Sequence, residues 1–142
     1  MRSCVSAVVD ATIESIGLCR RALAEHPEQW AGLREDPSLA RAAFGEATRY
    51  DSSSQSLFRT TTEDFEFEGQ MLGKHEKVLV LIGSAGRDPL VWDEPDRFDI
   101  RRRITQQVGY GAGIHGCVAQ RMARLEGEVF FRALATQVDR LE

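Results

Sequence analysis

The chain has 142 residues, 42% of them hydrophobic and 28% charged, with a formal net charge of −4. That length holds one domain with a substantial core and is too short for two ordinary ones. A net negative chain lacks the clustered positive surface that nucleic acid or an acidic membrane selects, and no apolar stretch approaches the roughly 18 residues of a membrane span.

The N-terminus carries Asp10 where the apolar core of a signal peptide would continue. Cys4, Cys19 and Cys117 are odd in number and show no C-x-x-C spacing, which argues against both a disulfide framework and a cysteine-rich zinc site. A reducing cytoplasm is the expected compartment.

Helical spacing comes first. Val9, Ile13, Ile16 and Leu23, with Cys19 and Ala22 beside them, predict a helix from Val5 to Ala24. Pro27 suits the first turn of a second helix, Pro27 to Arg34, and Ser38 is the expected start of a third that runs to Tyr50. Then the pattern shortens. Leu57 to Thr62, Asp64 to Glu68 and Val78 to Ile82 read as strands, with a turn at Gly69. Residues 83–107 read as loop with a helical turn, and the run Arg101-Arg102-Arg103 as solvated charge. Beyond Cys117, Val118, Met122, Leu125 and Val129 restore helical spacing. The fold class expected is mainly α with small antiparallel β sheets.

Val108 to Glu126 read V-G-Y-G-A-G-I-H-G-C-V-A-Q-R-M-A-R-L-E. Gly111, Gly113 and Gly116 match G-x-G-x-x-G, the spacing of a dinucleotide-binding turn. That site also needs a βαβ unit with an acid at the end of its second strand, and no second strand follows here. A plain glycine turn with a buried cysteine is the bland alternative. Against it, a thiol at the start of a helix faces unpaired amides and the positive end of the dipole. The glycines leave room for a large flat group, and His115 adds a donor beside it. This is the chemistry of a heme iron held by a cysteine thiolate.

Tyr110-Gly111-x-Gly113-x-x-x-Cys117 resembles the heme-binding loop of the cytochrome P450 family of heme-thiolate monooxygenases, with Tyr110 for its usual Phe and Ala119 for its last glycine. Other segments resemble the family in the same order. Glu46-Ala47-Thr48-Arg49 is similar to its E-x-x-R helix, and Pro95-Asp96-Arg97-Phe98 to the P-x-R-F segment, so Arg97 is expected to close a triad with Glu46 and Arg49. Phe58-Arg59-Thr60-Thr61 resembles the strand whose arginine meets a heme propionate.

The resemblance implies heme b (iron protoporphyrin IX) ligated by Cys117, with Arg59 and His115 on its propionates and Tyr110 and Gly111 in the binding loop. O2, a small organic substrate and a ferredoxin-type electron donor are the implied partners. It also implies the C-terminal part of the fold, residues 1–142, with the family's N-terminal part absent and the chain a truncated or degenerate copy.

Ala7-Val8-Val9-Asp10-Ala11-Thr12 resembles the oxygen-binding helix, where Asp10 keeps the acid of the proton relay. Val8 stands for a glycine beside oxygen, and Ala11 for the threonine that assists proton delivery. Thr12 is rotated by about 100° from that position and is expected to point elsewhere. These departures leave a second function open, a noncatalytic heme-binding or interaction module.

Overall fold

The computed structural model describes residues 2–141, with side chains from Val9 onward. Val8 and Cys4 therefore lie outside the described side chains. Helix α1 (Arg2–Glu25) is followed by α2 (Pro27–Glu35), a 3-10 turn (Pro37–Leu39) and α3 (Ala40–Tyr50). Strands β1 (Ser56–Thr60), β2 (Phe65–Phe67), β3 (Gln70–Leu72) and β4 (Lys77–Leu81) come next. A helical turn, α4 (Ile82–Ala85), leads into a long loop before α5 (Gln120–Gln137).

Helix α3 is the hub. Ala40, Ala43, Phe44 and Ala47 on it are buried against Cys19 and Leu23 of α1, Leu33 of α2 and Phe131 of α5. The rings of Phe44 and Phe131 sit 6.3 Å apart. Gly127 permits this closeness, because a Cβ there would lie 2.5 Å from the Phe44 ring. Trp30 of α2 donates to the Asp139 carbonyl at 3.1 Å, tying the C-terminal end to the bundle.

The third helix starts later than its sequence indicates. Asp36, not Ser38, caps the turn: its carboxylate accepts from the Ser38 amide at 3.0 Å and hydroxyl at 2.6 Å. Those bonds hold the Asp36 carboxyl below its ordinary range and place Ser38 inside the 3-10 turn.

Both sheets are antiparallel pairs. β1 pairs with β4 from Ser56↔Leu81 to Thr60↔Lys77, and β2 pairs with β3 from Phe65↔Leu72 to Phe67↔Gln70. Glu68 and Gly69, both with positive φ, make the two-residue turn between β2 and β3. Gln-Met-Leu carries no β-branched residue, which is why β3 is not evident in the sequence. Among the described residues no strand follows α5, and residue 108 lies in a loop. The βαβ frame of a dinucleotide site is not formed.

Glu46 and Arg49 are buried together and meet through two bonds of 2.8 Å. Arg49 also donates to the carbonyls of Gly86, Pro95 and Arg97 at 2.6, 2.8 and 3.1 Å. The third member of the triad is Arg102, whose Nε donates to Glu46 Oε1 at 3.1 Å. This corrects the expectation for Arg97, whose exposed side chain pairs with Glu94 and Asp99 and which gives the network only its carbonyl. The reason is geometric: the Asp99 amide binds Glu46 at 3.0 Å and turns the chain so that position 102 reaches inward. Arg102 is therefore not part of a solvated run.

Candidate functional site

The glycine loop folds back on itself. The Gly111 amide donates to the Val108 carbonyl at 2.8 Å, and the Cys117 amide donates to the Tyr110 carbonyl at 2.7 Å. Gly111 has φ +72°, and a Cβ on it would sit 2.5 Å from the His115 carbonyl oxygen, so only glycine fits. The closure brings Cys117 beside Tyr110.

Cys117 stands ahead of α5 rather than within its first turn, because its amide is committed to Tyr110 and a turn intervenes before Gln120. Cys117 is unpaired and partly accessible.

The loop forms one wall of a cavity of about 500 Å³. Tyr110, Gly111, His115 and Cys117 line that wall, and Ala11, Thr12 and Ser15 of α1 line the cavity as well, with Leu57 of β1 and Ile82 between. Thr12 thus borders the cavity too, against expectation. The space is broad enough along α1 that positions 11, 12 and 15 all reach it.

Arg59 and Asp10 are not among the lining residues. Arg59 is exposed on β1 and donates to the Phe58 carbonyl at 2.9 Å. Asp10 is exposed on α1, next to the lining residue Ala11. The sequence reading passed over Ser15. Its hydroxyl donates to the Ala11 carbonyl at 2.7 Å, and a lone serine between apolar positions carries no signal of that.

A heme suits this donor set. The lining is mostly apolar, the glycines clear one wall, and Cys117 presents a single soft ligand. No cluster of three or more His, Cys, Asp or Glu capable of holding a bare metal ion occurs among the described residues. A one-thiol site matches an iron whose other ligands come with a macrocycle.

Burial raises the Tyr110 phenol above its ordinary value; Thr48 and Arg124 lie alongside and pull the other way. Neither reaches hydrogen-bond geometry, and the buried hydroxyl oxygen has no partner among the described residues. The Arg124 guanidinium lies 5.0 Å from the Tyr110 ring centroid.

Comparison with known proteins identifies the family. The family profile described as Cytochrome P450 matches residues 23–135. The chain is 51% identical over all 142 residues to cytochrome P450 CYP199A2 of Rhodopseudomonas palustris, covering 34% of that protein. It is 38% identical over 133 residues to linalool 8-monooxygenase of Pseudomonas putida, covering 94% of this chain and 33% of that protein. The solved structure of cytochrome P450 CYP109Q5 from Chondromyces apiculatus superposes with a TM-score of 0.87 at 37% identity, over 91% of this chain and 33% of that one. The chain spans about a third of the length of these relatives. With the profile matched over most of the chain and the fold shared along nearly its whole length, the chain belongs to the cytochrome P450 family, whose cofactor is heme.

Proposed function

We propose that residues 1–142 are the C-terminal heme-binding region of a heme-thiolate monooxygenase that binds heme b. The reaction is insertion of one atom of O2 into a small organic substrate. The observation that carries this reading is the Cys117 thiol on the wall of an apolar cavity, in a loop that only glycine at 111 can close.

Cys117 Sγ would ligate the iron, and Tyr110 and Gly111 would pack beneath the macrocycle. His115 would donate to one propionate. Arg59, exposed on β1 outside the cavity lining and bonded to the Phe58 carbonyl, would turn to pair the other, because a buried carboxylate is costly unless paired. Asp10, exposed beside the α1 wall, would assist proton transfer. Bound there, heme supplies the activation of O2; the electrons would come from a ferredoxin-type donor in the cytoplasm.

The test is spectroscopic. Reconstituted with hemin, reduced and exposed to carbon monoxide, the protein should show the red-shifted Soret band of thiolate ligation, and Cys117→Ala should abolish it. A spectrum of histidine-ligated heme, or no heme uptake, would reject the reading.

Ala11, which brings no hydroxyl to the cavity, favours a second reading, a noncatalytic heme-binding module. Product formed per NADH consumed separates the two, and Ala11→Thr should raise that ratio in the monooxygenase.

A further inference from the structure

A second cavity, of about 370 Å³, opens between α3, the long loop before α5 and α5 itself. Arg41, Arg102 and Arg124 line it, one from each of these elements, together with Gln107 and Ser38. No Asp or Glu is among the described lining residues. No residue lines both cavities, so this one stands apart from the heme reading.

Charges in the network that borders it do not balance. Glu46 serves both Arg49 and Arg102, and Glu128 serves both Arg41 and Arg132, while Arg124 meets no carboxylate among the described residues. Guanidiniums therefore outnumber carboxylates there, in a chain whose net charge is −4. Arg102 spends its nitrogens on Glu46 and on the carbonyls of Asp93, Glu94 and Arg97, so it adds field rather than a donor. Arg41 uses one nitrogen on Glu128 at 3.1 Å, and Ser38 gives its hydroxyl to Asp36, outside the lining. Arg124 is partly buried, its side chain bonds only Gln107 at 3.5 Å, and its Nε has no partner among the described residues. A cation taken partly out of water without a counter-ion is costly, and an anion in the cavity offsets that cost.

We infer that this cavity is a binding site for a dianionic oxyanion of the phosphate class, free or as the end group of a small ester. The surplus of positive charge favours a dianion over a single carboxylate. Guanidinium forks on α3 and α5 suit an oxyanion whose oxygens point in several directions. Arg41 and Arg124 supply the donors, and Arg102 holds the field between them.

The test is calorimetric titration of the 142-residue chain at constant ionic strength, balanced with sodium chloride, using inorganic phosphate, glycerol 3-phosphate and acetate. Phosphate should saturate one site per chain and bind roughly tenfold tighter than acetate. Tighter binding of glycerol 3-phosphate assigns the site to an ester, and equal binding assigns it to the free ion. Arg124→Gln should weaken phosphate roughly tenfold, and Arg124→Lys, which keeps the charge, should recover most of the loss. Arg41→Gln, at an exposed position, should weaken it about threefold. Arg21→Gln should leave it unchanged, because its partner Asp51 lies at the opposite end of α3 from Arg41. Because Arg41 is exposed, its variant keeps the test decisive should Arg124→Gln lose its helical circular dichroism. Absence of saturable phosphate binding, acetate bound as tightly as phosphate, or an affinity untouched by Arg41→Gln overturns the proposal.

Discussion

Two cysteines with described side chains carry opposite chemistry because of where they sit. Cys19 is fully buried between α1 and α3, donates weakly to the Ala43 carbonyl, and burial pushes its thiol far above the ordinary value. Cys117 is partly accessible on the cavity wall. In a Cys4→Ala background, iodoacetamide should therefore label Cys117 in the folded protein and Cys19 only after unfolding, as read by peptide mass spectrometry; labelling of both at equal rates would contradict the burial. The raised thiol also sets a pH dependence. The unfolded chain loses the Cys19 proton near the ordinary thiol value of 9.0, while the folded chain keeps it. Above that pH the unfolded state binds fewer protons, so stability falls as pH rises, by up to about 1.4 kcal/mol per pH unit, and is fully retained below it. Urea titrations between pH 8 and 10 should show this slope, and Cys19→Ala should flatten it. Tyr110 offers a complementary case. Its buried hydroxyl has no partner, so Tyr110→Phe should stabilise the fold by about 1 kcal/mol, the reverse of the usual sign for truncating a core side chain.

At the scale of elements, the long helices were located to within a few residues, α1 and α5 by apolar spacing and α2 and α3 by Pro27 and Ser38 as start signals. Ends were harder. A cap is decided by which side chain reaches which amide, and spacing pointed to Ser38 where Asp36 makes the bonds. The ion triad shows the same limit: Glu46 and Arg49 are legible from i, i+3 spacing alone, but the choice of Arg102 over Arg97 depends on how the Asp99 amide docks on Glu46. The loop at Cys117 was legible because its glycines are demanded by backbone geometry, whereas the Ser15–Ser53 contact was not, since it forms only through tertiary packing. Packing between elements makes a paired prediction. Gly127 abuts the Phe44 ring, so Gly127→Ala should separate α3 from α5 and cost about 1–3 kcal/mol. Gly17 lies inside α1 with open space around it, so Gly17→Ala should instead gain about 0.5–1 kcal/mol. Denaturant midpoints of the two variants should move in opposite directions; a stabilising Gly127→Ala would refute the close α3–α5 contact.

The whole molecule has a core on one side only. α3 is enclosed by α1, α2 and α5, yet α5 turns Met122, Leu125 and Val129 outward at 55, 51 and 60% exposure, with Val118 ahead of them at 97%. These positions fall at i, i+4, i+7 and i+11, a single helical stripe. The β strands add Phe58, Phe67, Met71 and Leu81, each more than half exposed. Scattered apolar residues on a surface are ordinary, but an aligned stripe marks a surface that is covered in some assembly. A chain that spans a third of its relatives' length is expected to leave such faces uncovered when it stands alone. Taken as an isolated polypeptide, the protein should therefore associate in a concentration-dependent way and bind a hydrophobic dye while keeping its helices. Sedimentation velocity from low to high micromolar concentration reads the association. Leu125→Glu with Val129→Lys, two charges at i, i+4 on the stripe, should shift the distribution toward monomer and lower dye binding with the far-ultraviolet circular dichroism unchanged. Heme should act mainly on a neighbouring face, which meets the stripe at Val118. Hemin filling the cavity between α1 and the glycine loop would protect that loop from proteolysis, through linkage of binding to folding, and leave the α5 stripe accessible and the association intact. Loss of association on adding hemin would mean that the stripe and the cavity act as one surface, through Val118, which belongs to both.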